Sequence, residues 1–209
     1  MLAILMLAGM PPVRAQRGAP LQIVVPAVKA GQERGVPIIT TGGVLEDRNL
    51  RELLQNGFPA RLHYRLELWS SGGLFDNLKQ QLEWDLIVRY NPLERRYTAA
   101  RVEADRVTTL GTFGTLAETE QAVSRPFQPA MRPIAGHDRS YYIVTLNVAM
   151  LSVNDLDEVE RWLRGELQPA VRGEKNPGTA LSRGAMTLMT RILGGERRHY
   201  EARSAKFTP

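Results

Sequence analysis

Side chains that commonly do chemistry are sparse in this chain and poorly spaced for it. The three histidines are His63, His137 and His199. His63 and His199 fall in strand-like stretches and His137 in the Gly-flanked loop "AGHDRS", so none sits on a helix with a ligand partner at metal spacing. Asp138 follows His137 directly, and sequence neighbours do not give the geometry in which a carboxylate orients an imidazole base. Cysteine is absent, which excludes disulfides, thiolate zinc sites and cysteine nucleophiles. The chain has no Gly-x-Ser-x-Gly elbow, and Ser182 lies inside a helical pattern. "GTFGTL" precedes a helix and could offer backbone N–H groups to an anion. It lacks the Lys-Ser/Thr of a phosphate loop, so an ordinary strand-to-helix turn is the plainer reading. The acidic run Asp155, Asp157, Glu158 and Glu160 falls in the first turns of a helix, where negative charge complements the dipole. No catalytic, metal or cofactor-binding residue is assigned, and no cofactor is expected.

The elements are easier to read than the chemistry. In "PARLHYRLELW", Leu62, Tyr64, Leu66 and Leu68 alternate with Arg61, His63, Arg65 and Glu67, the mark of a strand with one dry and one wet face. "QLEWDLIVRY" and "SYYIVTLNVAML" repeat the pattern, with "SSGGLFDNLK" read as a loop before the first of these. Outward charges on these rulers are expected to make cross-strand ion pairs. "LQIVVPAV" and "VPIITTGGVL" are shorter strands broken by Pro or Gly, which suits edges or bulges.

Helices are expected after Asp47, as N-cap of "RNLRELLQ", and after Thr115, whose spacing to Glu118 is that of a capping box. Two more are expected, one after Ser152 with Leu156, Val159, Leu163 and Leu167 on one side, the other over about 179–193. "RRHYEARSAKF" reads as a final extended segment. The resulting expectation is an α+β fold, a mainly antiparallel sheet of meander or sandwich type. Amphipathic helices pack on its dry face, two of them C-terminal.

A chain of 209 residues is enough for one domain. "MLAILMLAGMPPVRAQ" has an apolar run from Leu2 to Met10, then Val13 and Ala15 at the −3 and −1 positions of a signal-peptidase site. The run is too short to span a bilayer, which needs about 20 residues. Residues 1–15 are therefore expected to be a cleaved signal peptide and 16–209 a single exported domain, periplasmic or secreted. Within it, 153–209 would form a helical cover and a basic C-terminal strand. From Arg172 to Lys206, eight basic residues face three acidic ones, and this net charge equals the +5 of the whole chain. Such a cluster is usually a solvated face, although it can meet an anionic membrane surface; an exported chain is not expected to bind nucleic acid.

"LRELLQNGFPARLHYRLELW", "WDLIVRYNPLERRY" and "FGTLAETEQAV", in that order, resemble domain-of-unknown-function family 4390. The resemblance covers roughly residues 47–151. It lies in the helix ending in a Gly-apolar-Pro turn, the strand with an acidic residue near its end, the Tyr90-Asn91-Pro92-Leu93 turn with Tyr97, and the short helix from Leu116 to Val123. It implies an exported bacterial protein of uncharacterised function and carries no catalytic residues.

Three functions fit these readings. One is a non-catalytic envelope module that binds a protein or peptide partner. A second is a carrier or sensor of a lipid or other amphiphile, and a third is a hydrolase without a recognisable motif. Trp69 ends its strand on the polar side and is expected to be available to a partner, as are Arg197, Arg198 and Arg203 in the basic end.

Overall fold

The computed structural model describes residues 20–26, 35–72, 75–104, 106–133, 139–151 and 198–209. The segment expected as a signal peptide lies outside the described residues, as do both C-terminal helices, His137, Arg197 and the acidic run.

The strands are β1 (Leu21–Val24), β2 (Ile38–Thr41), β3 (Ala60–Gly72), β4 (Phe75–Asn91), β5 (Arg96–Glu103), β6 (Arg106–Phe113), β7 (Arg139–Met150) and β8 (Arg198–Arg203). Two helices, α1 (Arg48–Gln55) and α2 (Leu116–Val123), complete the described elements. Strands β3 to β8 form one antiparallel sheet in the order β6-β5-β4-β3-β7-β8, while β1 and β2 pair with each other as a separate ribbon. The three alternating stretches thus lie side by side at the centre, where alternation with one dry face is most useful.

The dry face is buried as its pattern demands: Leu62, Leu66, Val144 and Leu146 are fully enclosed. Tyr64 stacks on Trp84 at 5.0 Å, and Trp84 meets the edge of Phe127 at 5.2 Å. The cover includes elements the pattern did not single out. The β1–β2 ribbon lies against β7 and β8, α1 against β4, and α2 against β5 and β6. The Pro-rich stretch after α2 contributes Phe127 and Met131, and Phe127 bridges Ile39 of β2. The two interrupted strands near the N-terminus are therefore a lid over the large sheet rather than its edges, because Pro and Gly limit them to four residues each.

Local signals set the two helices as expected. The Asp47 carboxylate accepts from the Leu50 N–H at 3.0 Å. At α2 the Thr115 hydroxyl accepts from the Glu118 N–H, and Glu118 returns its carboxylate to the Thr115 N–H, a complete capping box. Glu120, one turn on, is buried and accepts from the Gly43 and Leu45 N–H groups and the Ser124 hydroxyl, tying α2 to the loop before α1.

Two further expectations need correcting. "SSGGLFDNLK" is not simply a loop, since β3 continues to Gly72 and β4 begins at Phe75. The reason is a bulge. Leu68 pairs with Gln80 but Trp69 pairs with Leu78, leaving Lys79 as the extra residue. Alternation therefore changes phase at Lys79, and the sequence before it does not scan as a continuation of the ruler. The wet face is also not uniformly wet, because Ile87, Val102 and Leu151 form a second buried apolar cluster there.

Candidate partner surface at the tip of the long hairpin

The β3–β4 hairpin outruns its neighbour. Pairing of β4 with β5 spans only Trp84–Asn91. Among the described residues, Phe75–Glu83 therefore has no strand on that side. At Gln80 the side-chain amide donates to the Arg132 carbonyl at 2.9 Å, so the loop before β7 approaches the edge there. Phe75 to Lys79 remain exposed without a break. Of the large apolar side chains left exposed, two lie in this short stretch: Phe75 at 80% and Leu78 at 46%.

Behind the edge, the wet face of the tip is built from three strands. Trp69 stands opposite Leu78 on β4 and Tyr141 on β7. Its indole N–H donates to the Glu67 carboxylate at 3.0 Å, so the ring is half-buried and held. The Tyr141 hydroxyl donates to Asp76 at 2.7 Å, and the Arg203 guanidinium lies over its ring at 3.7 Å. Burial, then the Asp76 hydrogen bond, push the Tyr141 phenol above its ordinary value, with Arg203 opposing. The Lys206 ammonium donates to the Ser71 hydroxyl at 2.6 Å.

Of the residues expected to meet a partner, Trp69 and Arg203 are brought to one place, with Tyr141 between them. Arg198 faces elsewhere and is committed to the Asp47 carboxylate at 2.6 Å, where it supports the α1 cap. Backbone hydrogen bonding from Leu50 chiefly, and Arg198 with it, hold Asp47 below its usual range against the effect of burial. Sequence reasoning missed Phe75, Leu78, Asp76 and Lys206. For the first three the sequence pointed the other way, because Asp76-Asn77 after Ser-Ser-Gly-Gly reads as a turn and Phe75 and Leu78 do not alternate.

The histidines are occupied structurally. The Asp85 carboxylate accepts two hydrogen bonds from Arg61, at 2.9 and 2.7 Å, and stands 2.9 Å from His63 Nδ1. Burial alone would raise the Asp85 carboxyl, but the hydrogen bonds from His63 and Arg61 and the Arg61 charge outweigh it and hold it below its ordinary value. Arg65 bonds Glu83 at 2.9 Å in the next row, so the outward charges form the expected ion pairs. His199 Nδ1 lies 2.8 Å from the Asn147 side-chain oxygen. Among the described residues there is no group of three His, Cys, Asp or Glu side chains that could hold a metal ion.

A cleft of about 770 Å³ opens between α1, α2 and the β4–β5 turn, with Tyr90, Tyr97, Arg51 and Arg95 among its lining. The α2 end of this cleft carries "GTFGTL". Its Gly114 and Thr115 N–H groups are already taken by Glu118, which disfavours the anion reading. The described helices include none long and apolar enough to cross a membrane. No family model matches this chain, and neither a curated protein nor a solved structure is similar to it at a significant level.

Proposed function

We propose that the protein is a non-catalytic module of the bacterial envelope that binds a protein or peptide partner at the tip of the β3–β4 hairpin. The observation that carries this reading is the projecting edge of β4, where Phe75 and Leu78 are exposed beside a strand backbone that pairs with no further strand among the described residues. Proteins blunt or cover open edges, since an exposed apolar edge invites pairing with another chain. Export rests on the signal-like N-terminus and agrees with the resemblance to family 4390.

The packing of the dry face favours this reading over a carrier of amphiphiles. The side chains that would line a lipid pocket are in contact with the ribbon, α1, α2 and Phe127, with the central leucines and valines fully enclosed. For a hydrolase, the described histidines supply no base aimed at a nucleophile; each is spent on a neighbouring strand.

Site-specific photo-crosslinking tests the proposal. A benzophenone side chain placed at Phe75 or Leu78 in cells is expected to give a discrete protein adduct. The same group at Leu93, which is 94% exposed but in the β4–β5 turn, should give none. No adduct at either tip position, or equal labelling at all three, would overturn the reading.

A further inference from the structure

Resting on the partner-binding reading above, we infer that the β4 edge from Phe75 to Lys79 takes an extended acidic segment of a protein as an added antiparallel or parallel strand. Three features of the tip converge on that occupant. The first is backbone: β3 pairs with Phe75 to Leu78, with Lys79 bulged out of that ladder, and among the described residues no strand fills the other side. A bare strand edge offers alternating N–H and C=O groups that only another extended chain satisfies as a row.

The second feature is apolar. Phe75 and Leu78 lie on opposite faces of the hairpin, because Phe75 pairs with Gly72 and Leu78 with Trp69 three positions away. A strand laid along this edge would contact one with each of its own faces, as alternate side chains do. The third is charge. Lys79, Arg139, Arg203 and Lys206 are all exposed around the tip. Arg139 pairs with Ser71, Arg203 reaches Asp76 at 3.9 Å and Lys206 bonds Ser71, which places these three at the same end of the sheet, on the β3–β7 side of β4, with Lys79 on β4 itself. Asp76 offsets Arg203 and Glu67 offsets Arg65, which leaves Lys79, Arg139 and Lys206 as the excess charge at this end. The tip is therefore cationic toward an approaching chain, and acidic residues on the partner would be steered to it.

Cations with exposed aromatic and aliphatic groups also suit an anionic membrane. The open edge argues against that occupant, since unpaired strand N–H and C=O groups entering hydrocarbon cost several kcal/mol each. A polar, hydrogen-bonding strand removes that cost.

The test uses the mature full-length protein and two capped peptides of about eight residues, one alternating Glu with Val and one alternating Lys with Val. Binding is followed by amide chemical shifts and hydrogen exchange. The Glu peptide is expected to bind at least about tenfold more tightly than the Lys peptide, and to weaken as salt rises. It should slow exchange at alternate amides between Phe75 and Lys79. The double variant K79E/K206E, altered only at exposed positions, should reverse the preference between the peptides. Binding of the Glu peptide without protection at Phe75–Lys79 would overturn strand addition while leaving a peptide-binding module intact. Failure of both peptides, with Phe75-dependent binding to phosphatidylglycerol vesicles, would assign the tip to a membrane instead. Failure of every probe would also overturn the inference, and the crosslinking at Phe75 and Leu78 would then judge the wider reading by itself.

Discussion

Asp85 joins three side chains on the wet face, and its ionisation is tied to folding. Its carboxyl sits below its ordinary value in the native state because His63 and Arg61 bond the charged form more strongly than burial opposes it. In the unfolded chain it returns to about 3.9. A group depressed on folding adds stability above its unfolded value, and that stability is lost as the pH falls from about 4 through the lower native value. D85N should therefore cost about 1–2 kcal/mol at neutral pH, the pair being partly solvated. It should also flatten the fall in melting temperature between pH 5 and pH 2, which thermal unfolding at a series of pH values would read. Asp47 contributes a parallel loss through its Leu50 and Arg198 bonds, so D85N removes only part of the slope. Equal slopes for the variant and the parent would mean Asp85 has no such role.

At the scale of elements, the two ends of β3 and β4 do different work. Leu66 is fully enclosed in the middle of the sheet, and L66A should cost about 2–5 kcal/mol through the cavity it leaves. Phe75 and Leu78 support little of the fold, so F75S/L78S should stay within about 0.5 kcal/mol of the parent. The same double variant should abolish the tip crosslink placed at Asn77. Denaturant titration checks the first pair of expectations, and a large destabilisation of F75S/L78S would make the tip a packing element. A second junction is Glu120, whose carboxylate gathers two backbone N–H groups and a hydroxyl across α2 and the loop before α1. E120A orphans those donors and should cost about 2–3 kcal/mol. Hydrogen exchange should then rise first at Gly43 and Leu45; uniform exchange through the sheet would contradict a local tie.

For the whole molecule, the cover over the dry face depends on two buried phenols. Tyr64 shares a hydrogen bond with Thr41 of the ribbon at 2.8 Å, and the Tyr142 hydroxyl donates to the Gly35 carbonyl at 2.8 Å. Burial above all pushes both phenols well above the usual tyrosine value. Both stay neutral in the folded protein while the unfolded chain ionises near pH 10. Their stability is thus complete below about pH 10 and is lost as the pH rises above it. A steep fall in melting temperature between pH 10 and pH 12 is expected, shallower in Y64F and Y142F. An unchanged alkaline slope in Y64F/Y142F would show that neither phenol controls it. Gly35 belongs to the same junction: its φ is +76° and an added Cβ would lie 2.5 Å from the Phe207 ring, so only glycine lets the ribbon close on Tyr142.

The sequence by itself determined the three central strands, both described helix caps and the pairing of outward charges. These depend on neighbours within a few residues or on the period of one strand, and local chemistry suffices for them. No local pattern showed that Tyr141 stands between Trp69 and Arg203, or that Arg198 turns to Asp47. Tertiary structure alone decided which elements lie on the dry face, because Leu21, Ile39, Leu54 and Phe127 meet the sheet across long sequence separations. It also decided that β4 outruns β5. That difference follows from where β5 and β6 turn, between Glu103 and Arg106. An open edge is a property of what does not arrive beside a strand, and no pattern within the strand encodes it.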